Sequence, residues 1–68
     1  MIDTENLTNG DILDLIMRHE LNIMQKNGEI RVAGYQEGCE ISIQTKTGGI
    51  RTAIKGWAEA YNEVMEHD

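Results

Sequence analysis

CEISIQTKTGGIRTAIKGWAEAYNEVM, residues 39–65, changes its period midway, and that change sets the fold class. Up to Lys46 the side chains alternate: Cys39, Ile41, Ile43 and Thr45 fall on one side, Glu40, Ser42, Gln44 and Lys46 on the other. This is the pattern of a strand with one face in a core and one in water. Thr47-Gly48-Gly49 breaks it. From Ile50 the repeat becomes helical, and Ile50, Ala53, Ile54, Trp57, Ala60, Tyr61, Val64 and Met65 gather on one arc. Arg51, Lys55, Glu59, Asn62, Glu63 and Glu66 fill the opposite arc. The spacing predicts an amphipathic helix from Ile50, anchored in the core by Trp57, with Gly56 toward solvent.

Upstream, residues 29–36 (EIRVAGYQ) are rich in strand formers, and Glu37-Gly38 supplies a turn. The two strands make an antiparallel hairpin, with Ala33-Gly34 expected to bulge or bend the first of them. Before the hairpin, Leu7-Thr8-Asn9-Gly10-Asp11-Ile12 reads as a helix start. Thr8 caps, Asp11 stands three residues on as the capping-box acid, and Leu7 with Ile12 forms the hydrophobic staple. The predicted helix runs to Gln25 or Lys26 and stops at Asn27-Gly28, with glycine at C′.

The expected fold is therefore α+β, in the order α-β-β-α, as one domain over residues 1–68 with a short polar lead at 1–7. A competing parse makes residues 50–54 a third strand and starts the last helix near Gly56. The resulting α-β-β-β-α order is similar to that of double-stranded-RNA-binding domains. Lys55-Gly56-Trp57-Ala58-Glu59-Ala60 is a distant echo of the basic, alanine-rich start of that family's last helix. The family's lysine cluster is absent, and Glu59 and Glu63 stand where phosphates would approach, so the chain is not placed in it.

Composition narrows the function. A chain of 68 residues buries only about 60% of the surface that its unfolded form exposes, which leaves a thin core. Small domains usually add disulfides, a metal or a partner. Cys39 is the only cysteine, which excludes an intrachain disulfide, and one thiol with two scattered histidines makes no zinc site. No metal and no cofactor are expected. The unpaired thiol, the acidic N-terminus and the lack of a long apolar run point to a soluble, cytoplasmic chain with no membrane partner. A partner chain remains as the extra source of stability.

The first helix is the most informative element. Ile12, Leu15, Ile16, His19 and Ile23 make a core stripe, and Leu13, Met17, Leu21 and Met24 make a second stripe beside it. An ordinary surface helix has one apolar arc. The second stripe is either internal core or an interface, and a second copy of the chain is its expected partner.

Charge is uneven along the chain, whose net value is −6. Residues 56–68 hold four acids and no base, while Arg31, Lys46, Arg51 and Lys55 lie in the middle. Glu59, Glu63 and Glu66 crowd a helix C-terminus, against the macrodipole. They serve as a solvated end or as a docking strip for a protein with a basic surface. The four cations, with Tyr35 as a stacking platform, are the alternative site, for nucleic acid. The net charge weighs against that alternative.

Catalysis has little support. His19 lies on a core stripe, His67 is next to the terminus, Cys39 is expected to face the core and be inert, and Gly48-Gly49 lacks a phosphate-binding pattern. The expected function is therefore non-enzymatic: a small acidic protein–protein interaction module, homodimeric, acting as an accessory or inhibitor protein of bacteria or their phages. The alternative is a nucleic-acid-binding regulator.

Overall fold

The computed structural model describes residues 1–36 and 38–66; Glu37, assigned above to the turn, and His67 and Asp68 lie outside the described residues. The order is α1 (Asn9–Arg18), β1 (Asn22–Lys26), β2 (Glu29–Gln36), β3 (Cys39–Thr45) and α2 (Gly49–Glu66). The strands form one antiparallel sheet in the order β1-β2-β3. The α+β class is as expected. The third strand is at 22–26, not at 50–54, which is helical.

α1 begins as its sequence predicts. Thr8 Oγ1 accepts from the Asp11 amide at 3.1 Å, and the Asp11 carboxylate accepts from the Thr8 amide at 3.0 Å. The bond from the Thr8 amide, with a further one from the Thr8 side chain, holds the Asp11 carboxyl below its usual range. The helix ends much earlier than predicted. His19 is the C-cap, Glu20 takes φ 49°, and the Leu21 amide donates to Ile16 O at 3.0 Å. That is a Schellman closure with glutamate where glycine usually stands. Residues after it are free to extend, and Asn27 (φ 55°) with Gly28 (φ 78°) then closes a two-residue hairpin between β1 and β2.

Register sorts the side chains. Ile23 pairs with Val32, Val32 with Ile43, and Gly34 with Ile41, so these residues face the helices. The pairing runs through Ala33 and Gly34 without interruption, so the expected bulge is absent. Gly34 instead leaves space. A Cβ there would lie 2.6 Å from Leu21 Cδ2 and 2.8 Å from Trp57 Cζ2. Gly56 also faces the sheet rather than solvent, and a Cβ there would lie 3.1 Å from Ile43 Cδ1.

Both helices lie on this one face, and Ile12, Leu15, Val32, Ile41, Ala53, Ile54, Trp57 and Ala58 form the core. Trp57 is fully buried and donates its Nε1–H to Ile41 O at 2.9 Å. Arg51 bonds Asn9 at the start of α1, and the His19 ring lies 4.9 Å from that of Tyr61 at its end. The two helices therefore run side by side in the same direction. The N-terminal lead is not loose. The Asn62 side chain accepts from the Ile2 amide at 2.9 Å and donates to the Ile2 carbonyl at 2.7 Å.

Candidate functional site

The second stripe does not survive as one surface, because α1 stops before Leu21. Leu13 and Met17, one turn apart on α1, are 61% and 78% exposed. Leu21 turns inward over Gly34 and Trp57. Met24 follows the β1 alternation to the opposite face of the sheet, where it is exposed. The interface expected from four residues is thus carried by two of them.

A residue from the other helix joins the first of those two. Ile50, expected in the core, is 48% exposed because it stands in the first turn of α2. Ile12, Leu13, Ile16 and Ile50 line an open groove of about 290 Å³ between α1 and the start of α2, with Asn9 and Arg51 at its rim. The floor of the groove is apolar. Arg51 is anchored there by bonds to Leu7 O at 2.7 Å and to Asn9 Oδ1. The groove is not legible in the sequence, since its walls come from segments over thirty positions apart.

The four cations of the alternative site divide between two sides of the molecule. Arg31 and Lys46 belong to the sheet face away from the helices, while Arg51 and Lys55 ride on α2, which packs on the other face. Arg31 already lies 3.7 Å from Glu40 and donates to Ser42 Oγ, and Lys46 lies 3.8 Å from Glu29. Tyr35 is exposed on that same sheet face, beside Glu40. Exposed ion pairs of this kind contribute about 0–1 kcal/mol each. The acidic strip forms on α2 as the periodicity implies, with Glu59, Glu63 and Glu66 exposed and no base in the last turn.

Cys39 is exposed, contrary to the expectation that it is buried. It has the same parity as Ile41 but stands at the hairpin end of β3. Alternation gives the side of a sheet, not how far a helix covers it.

His19 packs against two aromatic rings, 5.1 Å from Trp57 and 4.9 Å from Tyr61. Burial, with repulsion from Arg18 partly offset by Asp14, lowers its pKa below the ordinary imidazole value. A depressed folded-state pKa adds stability that is complete above the unfolded value of about 6.5 and is lost as pH falls through the folded one. Melting temperature should therefore drop as pH is lowered below about 6.5, and His19→Gln should flatten that part of the profile. An unchanged profile in the variant would show that the titration lies elsewhere.

Among the described residues, no group of three or more His, Cys, Asp or Glu is placed to hold a metal ion, and no helix is long and apolar enough to cross a membrane. Compared with protein-family models, curated proteins and solved structures, the chain matches none.

Proposed function

We propose that this protein is a small binding module that acts through protein–protein contact, with the groove between α1 and the start of α2 as its contact surface. A second copy of the chain is its first partner. The observation that carries this reading is the exposure of Leu13 and Ile50 on a groove with an apolar floor, with Met17 exposed one turn further along α1. Side chains that could have completed a 68-residue core stand in water instead. Each contributes about 1.5–3 kcal/mol when fully buried, which is large beside the stability of so small a domain. Two-fold pairing is the commonest way for soluble chains to cover such a patch.

Sedimentation of the unaltered chain tests this directly, with a dimer expected at about 100 µM, a concentration at which even a micromolar contact is nearly saturated. Leu13→Glu with Met17→Glu should convert it to a monomer of unchanged helical circular dichroism, since both positions lie on the surface. A parent that sediments as a monomer at that concentration, or a double variant that dimerises as before, overturns the reading.

A further inference from the structure

The charges on α2 run against its own dipole at both ends. Its first turn has no acid and carries Arg51, with Lys55 one turn on; its last turn has no base and carries Glu63 and Glu66. A helix favours the reverse, anions at the start and cations at the end. Arg51, Lys55, Glu59 and Glu63 are four residues apart in succession, so the reversal lies along one exposed stripe, with two positive positions followed by two negative ones. A stripe of that kind is complementary to itself turned around. Laid antiparallel against a second α2, each acidic end meets a basic start, and the misplaced charges at both helix ends acquire opposite partners.

The groove with Leu13, Ile16 and Ile50 adjoins the basic start of α2, so its rim is cationic. We infer that two copies pair about a two-fold axis with their α2 helices antiparallel. The acidic end of each (Glu63, with Glu66 beyond it) then meets Arg51 of the other at the rim of its Leu13–Ile50 groove, and Glu59 meets Lys55. This rests on the contact surface lying at the groove side of α2 and names what meets its cationic rim. Arg51 and Glu66 are fifteen residues apart, or about 22 Å along the helix. The two docking sites are therefore well separated, and the axis passes near the middle of α2.

The test uses complementary charge variants of the full chain, Lys55→Glu and Glu59→Lys, which face each other when Arg51 meets Glu63 of the other copy. Arg51 is left alone because it tethers Leu7 and Asn9. Each variant alone sets like charges opposite each other twice across the axis, and its self-association should weaken at least about tenfold. In an equimolar mixture the introduced glutamate meets the introduced lysine once, and the native Lys55–Glu59 pair is retained on the other side of the axis. Mixing should restore heterodimer to within about threefold of the parent, with the gain lost in high salt. If both variants dimerise like the parent, or if mixing restores nothing, the antiparallel arrangement is overturned. The groove reading is judged separately, by Leu13→Glu with Met17→Glu. Assemblies that grow beyond the dimer with concentration would refute the two-fold closure.

Discussion

Trp57→Ala is expected to cost about 3–5 kcal/mol, as large-to-small changes at buried aromatics do. That is much of the stability that a domain of this size holds. Trp57 is the largest fully buried side chain and contacts every layer. Its ring stacks near Tyr61 at 5.4 Å, lies 5.1 Å from His19 of the α1 cap, and covers Gly34 of the central strand. Its indole N–H satisfies the Ile41 carbonyl, which the alanine variant would leave without that donor. Thermal and urea unfolding measure the effect. A variant that melts within a few degrees of the parent would contradict this placement.

Gly34→Val is expected to be nearly as damaging, for the opposite reason. Even a Cβ meets Leu21 Cδ2 at 2.6 Å and Trp57 Cζ2 at 2.8 Å. Valine adds two methyl groups to a volume already filled by an indole that has no free direction to move. Overpacking of this kind costs about 1–3 kcal/mol, and more where the neighbour is rigid. Gly34→Ala should show a smaller loss of the same sign. Strand propensity alone predicts that both substitutions stabilise β2, so a rise in melting temperature would refute the close-packing account.

Where local pattern decides the outcome, the sequence is readable. The Thr8/Asp11 capping box, the β2–β3 hairpin, the helix from residue 49 and the burial of Trp57 all follow from period and spacing. The first helix misleads because its stop is written in an unusual residue. Glu20 occupies the left-handed position, so no glycine marks the end, and Leu21 to Lys26 continue an apolar pattern compatible with either state. Asn27-Gly28 reads as a helix stop, although the same dipeptide is also the strongest short hairpin signal. Read as a hairpin, it draws β1 out of the helix and separates Leu21 and Met24 from Leu13 and Met17. Gly34 looks like a defect in a strand because nothing local shows that Trp57 packs over it. The groove and the outward Cys39 depend on where α2 lies across the sheet, which is tertiary information.

The clasp between Asn62 and Ile2 joins positions sixty residues apart, whereas each strand pairs with its neighbour in the chain. Closing so long a loop brings little reward until α2 is already seated on the sheet, so the lead docks late in folding and is the first part to detach. Exchange of the Ile2 amide then reports a local opening rather than global unfolding. It gives a clock for release of the lead, at whose other end the Leu7 carbonyl accepts one of the two bonds that Arg51 donates.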